Sequence, residues 1–173
     1  GRTILEHAEQ GLGDSIQFAR YLPLIAARGG RPVLACARPL VPLLAALPGV
    51  QVVPGDAPMP SYDAWIDQMS LPPVFGARPD NVPFAGGYLR ADEVRVAKWR
   101  GRLPPGKKLG LAWAGNPAHS NDRRRSLPSE VVSRLLGLIR GHVVNLQTGA
   151  RAAEAGLPDV SPLLTDYAET AAL

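Results

Sequence analysis

The chain has 173 residues, enough for one ordinary domain or two small ones. Hydrophobic residues at 46% against 20% charged ones support a packed core and argue against disorder, and a net charge of +4 favours anionic ligands without requiring nucleic acid. The single cysteine, Cys36, lies in the apolar run 33–36 and has no partner for an internal disulfide; it reads as a core residue in a reducing compartment. No apolar stretch is long enough to span a bilayer and the start lacks a signal-peptide pattern, so a cytoplasmic location is expected.

Residues 3–8 run into the glycine turn Gly11-Leu12-Gly13, which makes a strand the better reading of that segment. Asp14 and Gln17 then fit a capping box that opens a helix. Ile16, Ala19, Leu22 and Ala26 give it one apolar face, Pro23 predicts a kink, and Gly29-Gly30 ends it. Residues 32–37 form a uniformly apolar strand of the buried parallel kind. A short helix over 39–47 leads to strands over 50–53 and 62–66. Strands separated by helical segments predict a parallel sheet with right-handed crossovers.

Residues 71–90 are rich in Pro and Gly and read as a linker, followed by an amphipathic helix over 92–103. A second series then begins: a strand at 109–114, a polar loop at 115–126, a helix at 128–139 and a strand at 142–146. Asp166 and Glu169 fit a capping box for a last helix. The expected organisation is α/β, with a Rossmann-like domain over 1–90 and the first part of a second one over 91–173. Two strands cannot make an independently stable sheet covered on both faces, so a fragment that self-associates through its incomplete second domain is expected.

Ligands of open α/β sheets collect at the carboxyl ends of the strands, where the turn at Gly11 and Gly13 lies. The full G-x-G-x-x-G fingerprint is absent, since Ile16 stands at the third glycine position. Arg38 stands where an NAD site would carry an acid, and Asp14 puts negative charge where a pyrophosphate would dock. A nicotinamide-dependent oxidoreductase is therefore disfavoured. Asp14 has two readings, a helix cap and a general base aimed into a cleft. In the loop 115–126, Arg123 and Arg125 are either a solvated surface or a phosphate clamp completed by helix amides. With one histidine, His119, and no cysteine in that loop, metal-ligand spacing is absent. Aromatics do not interleave with the arginines, so no nucleic-acid stacking platform is proposed.

The stretch 9–22, Glu-Gln-Gly-Leu-Gly-Asp-Ser-Ile-Gln-Phe-Ala-Arg-Tyr-Leu, together with 115–128, Gly-Asn-Pro-Ala-His-Ser-Asn-Asp-Arg-Arg-Arg-Ser-Leu-Pro, carries a resemblance. The segments 68–72 and 145–147 extend it over nearly the whole chain. It resembles the glycosyltransferase-like domain at the C-terminal end of bacterial tetratricopeptide-repeat proteins, which is similar to the heptosyltransferases and, more remotely, to the O-linked N-acetylglucosamine transferases. The resemblance implies a two-domain GT-B architecture, an acceptor in the first domain, a nucleotide-sugar in the second, and inverting transfer without a metal or other cofactor. By position, Asp14 matches the base that acts on the acceptor hydroxyl, and Gln10, Gly11, Gly13 and Gln17 form the acceptor-side loop. Arg125 matches a basic residue near the donor phosphates, where Arg123 of the same loop would join it, and Asn116, Thr148 and Gly149 line the donor side. Asp14 and Arg125 are then expected to face a common groove. Ser120 stands where the family has lysine after the loop histidine, and the family's downstream Asp-Thr-x-x-x-His loop falls outside this chain. The chain alone is therefore expected to be inactive even where its parent is a transferase. The rival reading is a non-catalytic, transferase-like module that binds a ligand or a protein for the repeat array.

Overall fold

The computed structural model describes residues 1–84 and 87–173. The chain divides into two compact units, one of residues 1–96 with 166–173 and one of residues 97–165.

The first unit is built on a parallel sheet of four strands flanked by helices. Strand β1 (Thr3–His7) leads into helix α1 (Leu12–Phe18), a turn of 3₁₀ helix at Ala19–Tyr21, and helix α2 (Leu22–Ala27). The expected helix is thus broken in two one residue before Pro23, whose missing N–H removes the hydrogen bond that would join the halves. Gly29, at φ +81°, closes α2 in the left-handed conformation that a side chain resists, while the Gly30 N–H donates back to the Ile25 carbonyl at 3.0 Å. Strand β2 (Arg31–Cys36), the short helix α3 (Val41–Leu44), strand β3 (Gln51–Pro54) and strand β4 (Ala64–Asp67) follow. The order across the sheet is β3-β2-β1-β4, every pair parallel.

Alternation along the strands sends Ile4, Leu34, Cys36, Val52 and Ile66 into one core with Leu22, Leu40, Leu44 and Leu71 from the helices. Leu5, Val33 and Ala35 point to the opposite face and pack with Val53 and Met59. On that side Trp65 of β4 is 62% exposed.

The stretch 71–90 is more than a linker. Pro72 and Pro73 preset the backbone for helix α4 (Leu71–Val74), Leu71 is fully buried, and Phe75, Tyr88 and Leu89 pack on the first core. Helix α5 (Glu93–Arg102) comes next, with Asp92 accepting from the Arg95 N–H at its start.

In the second unit, strand β5 (Lys108–Leu111) pairs in parallel with strand β6 (His142–Asn145), and helix α6 (Ser129–Leu138) connects them. The strand expected over 109–114 stops at Leu111, because the N–H groups of Trp113 and Ala114 turn to the side chain of Gln147. Helix α7 (Tyr167–Ala172) belongs with the first unit: Tyr167 packs on its core, and Arg95 pairs with Asp166 at 3.0 Å and Glu169 at 2.8 Å. Asp166 caps α7 as expected, accepting from the Glu169 N–H at 2.9 Å. Among the described residues, no helix is long and apolar enough to cross a membrane.

Candidate functional site

In the first sheet the chain steps from β1 to β2 and β3 on one side and then returns to place β4 on the other. The strand order therefore reverses between β1 and β4, the switch point beyond whose carboxyl ends ligands of open α/β sheets collect. His7 and Asp67 end these two strands in register, with Nδ1 and Oδ1 3.7 Å apart. Neither is marked by local sequence pattern, since it is the pairing of β1 with β4, sixty residues apart, that brings them together.

The Gly11–Asp14 turn sits at this edge, but its wiring differs from the capping box read from the sequence. Gly11 is the N-cap, extended at φ −66°, ψ 167°, and α1 begins at Leu12. Asp14 is therefore the third helical residue and its Oδ2 accepts from the Gly11 N–H at 3.2 Å. Gln17 takes no part in the cap. The physical reason is that an acid at the third position can reach back to the cap's own N–H, while a glycine cap leaves that bond entirely to Asp14. Ser15 Oγ donates to the Gly11 carbonyl at 3.2 Å, and the buried Gln68 amide donates to the Ser15 carbonyl at 2.8 Å. The loop after β4 thus fixes the turn after β1. The acceptor-side residues Gln10, Gly11, Gly13 and Gln17 are all exposed and Asp14 is half-buried.

Behind the turn lies Glu6, inside β1 and completely buried. Neither of its oxygens has a hydrogen-bond partner, and the nearby Gln68 amide is committed to Ser15. Burial pushes its carboxyl up to about 8, with the Gln68 dipole opposing. Burial, reinforced by Glu6, also pushes the Cys36 thiol up to about 11, so Cys36 stays protonated and inert.

The second unit carries the other group of sequence candidates at the carboxyl edge of β5 and β6. Gln147 organises it. Its Oε1 accepts from the N–H groups of Trp113 and Ala114 at 3.0 and 2.9 Å, and its Nε2 donates to the carbonyls of Ala114 and Thr148 at 3.1 and 3.0 Å. Asn145 supports it, accepting from the Gln147 N–H and donating to the Ala152 carbonyl. One buried amide thereby ties the loop after β5 to the loop after β6. Within the first loop, Ser126 Oγ accepts from the Gly115 N–H at 2.9 Å and donates to Asp122 at 2.6 Å. Asn116, exposed, accepts from the Ala118 N–H at 3.0 Å through its Oδ1. Arg123 and Arg125 are exposed, and among the described residues neither has a carboxylate partner within 4.0 Å. Thr148 is exposed, and Gly149 holds φ +77°, ψ −165°, a conformation close to glycine-only. Asn116, Arg123, Arg125, Thr148 and Gly149 thus share one edge of the second unit, and Asp14 with the acceptor-side loop belongs to the first.

One relative resembles this chain along most of its length. It is protein FlbA of Caulobacter vibrioides (strain ATCC 19089 / CIP 103742 / CB 15), 29% identical over 171 residues, a match that takes in 86% of this chain. The chain spans only 29% of FlbA's length. No family model and no solved structure matches the chain.

Among the described residues, no group of three or more His, Cys, Asp or Glu side chains could hold a metal ion. What the two edges offer instead is a carboxylate at a helix start in one unit and, in the other, exposed guanidinium groups that have no carboxylate partner among the described residues.

Proposed function

We propose that this chain is the core of a nucleotide-sugar-dependent glycosyltransferase of GT-B type, metal-independent and inverting. Asp14 removes the proton from an acceptor hydroxyl. The acceptor oxygen then forms a bond to the anomeric carbon while the bond from that carbon to the diphosphate breaks. The electron pair leaves on the diphosphate, whose charge Arg123 and Arg125 stabilise. Asn116, Thr148 and Gly149 border the donor, and Gln10, Gly11, Gly13 and Gln17 border the acceptor. The observation that carries the reading is the pairing of features: each α/β unit presents a chemistry-bearing loop at the carboxyl edge of its parallel strands, acidic in one and cationic in the other.

The rival is a non-catalytic binding module, favoured by the engagement of Asp14 Oδ2 as a helix-start acceptor. Calorimetry with a panel of nucleoside diphosphates tests the transferase reading. Arg125→Ala is expected to weaken binding about tenfold or more, as loss of a charge-assisted phosphate contact does, and Asp14→Ala to spare it. Absence of binding by every member of the panel, or binding indifferent to Arg125, overturns it.

A further inference from the structure

A cavity of about 740 Å³ opens on the outer side of α1, well inside the range of small-molecule sites. Gly13, Gln17 and Arg20 line it from the α1 side, Arg78 and Val82 from the stretch after α4, and Tyr88 from the stretch before α5. The only charged side chains among its described lining residues are the two arginines.

Arg20 is held in place. Its Nε donates to the Gln17 carbonyl at 2.8 Å, its Nη1 donates to the Pro83 carbonyl at 3.4 Å, and its guanidinium lies 4.8 Å from the centre of the Tyr88 ring. Tyr88 is fixed in turn by donating its hydroxyl to the Ile16 carbonyl. Arg38, Arg95 and Arg151 each have a carboxylate within 4.0 Å; among the described residues Arg20 and Arg78 have none. A guanidinium that is half-buried, pinned by neutral carbonyls and lacking a counter-ion has given up part of its hydration without electrostatic return. An anion entering the cavity restores that balance through the donors that Arg20 leaves unused and through Arg78.

We infer that this cavity binds an acidic sugar through Arg20 and Arg78. The anionic group, a carboxylate or a phosphate ester, sits on the guanidinium pair, and the apolar walls beside it take the carbon skeleton. Gly13 is one of the lining residues, and the place a Cβ would take there is open space. Describing the occupant as the acceptor rests on the transferase reading, because Gly13 and Gln17 belong to the loop assigned to that side. The choice of a sugar as the carrier of the charge rests on that reading as well; the binding of an anion does not.

The test is calorimetry or NMR titration of the full chain with three probes: p-nitrophenyl β-D-glucuronide, glucose 6-phosphate, and the neutral p-nitrophenyl β-D-glucoside. At least one anionic probe is expected to bind about tenfold more tightly than the neutral glucoside, with affinity falling as salt rises. The two anionic probes separate carboxylate from phosphate as the preferred charge. Arg78→Gln is expected to remove most of the preference. Arg20→Gln is expected to do the same, with Arg20→Lys as the second variant in case the glutamine change disturbs the fold. Equal binding of all three probes, no binding at millimolar concentration, or a preference unchanged by both arginine changes overturns the inference. If nucleoside diphosphates fail to bind while the acidic sugar binds through Arg20 and Arg78, the transferase reading falls and the cavity assignment stands. The reverse outcome separates them the other way.

Discussion

Replacing Glu6 by glutamine tests how the first sheet is stabilised. Glu6 is completely buried in β1, paired on both sides, and neither carboxyl oxygen has a partner. Its carboxyl titrates near 8 in the folded chain against an ordinary value of 4.5. The folded state therefore holds a proton that the unfolded chain has released. Stability is unaffected below about pH 4.5, falls by about 1.4 kcal/mol per pH unit between there and about pH 8, and is flat above. At pH 7 the cost is about 3 kcal/mol, most of what a marginal domain can spare. Glu6→Gln removes that slope but buries an amide with two donors, at about 1–3 kcal/mol. The variant should be equal to or less stable than the parent at pH 5 and more stable at pH 8. Urea titrations from pH 5 to 9, followed through the β1 and β2 amide signals so that only the first unit is read, measure the difference. Parallel pH profiles for the two proteins would falsify the reasoning.

Four further outcomes follow from the geometry. Gln147→Ala strands the N–H groups of Trp113 and Ala114; a loss of about 2 kcal/mol or more in the second unit is expected by denaturation, together with loss of nucleoside diphosphate binding. Gly149→Ala forces a side chain into a conformation only glycine tolerates; the expected cost is about 1–3 kcal/mol by the same measurement, and an unchanged midpoint contradicts it. Asp166→Ala removes the α7 cap, worth about 1 kcal/mol, and also an Arg95 partner, so it should destabilise more than Asp166→Asn, which keeps a capping oxygen. Leu138 is 79% exposed on α6 and Leu109 is exposed on β5, so light scattering should detect self-association that Leu138→Ser reduces; a monodisperse monomer contradicts this.

The sheets were legible because their cues are local: apolar runs of strand length, punctuated by Gly and Pro, gave the six strands of the described residues within a few positions. Pro23 and Gly29 marked a break and a stop for chemical reasons that no tertiary contact can reverse. What local pattern missed is what long-range packing decides. Leu71-Pro72-Pro73-Val74 reads as a linker because prolines usually punctuate, yet two prolines at a helix start fit one as well, and burial of Leu71 settles it. Nothing in the local sequence marks Glu6, and it is the surrounding packing of the sheet that leaves it completely buried. Asp14 was legible as a helix-start acid but three positions out, because Gly11, three residues earlier, itself takes the cap. The roles of His7, Asp67 and Gln147 come from contacts thirty or more residues apart, as does the return of α7 to the first unit.

Amide-shift mapping by NMR tests the central claim most directly, with the ¹⁵N-labelled chain titrated with nucleoside diphosphates one at a time. The account predicts that at least one of them perturbs the amides of Asn116, Arg123, Arg125, Thr148 and Gly149 as a group, and that Arg125→Ala weakens the response. Shifts confined to other surfaces, or none from any diphosphate, contradict it.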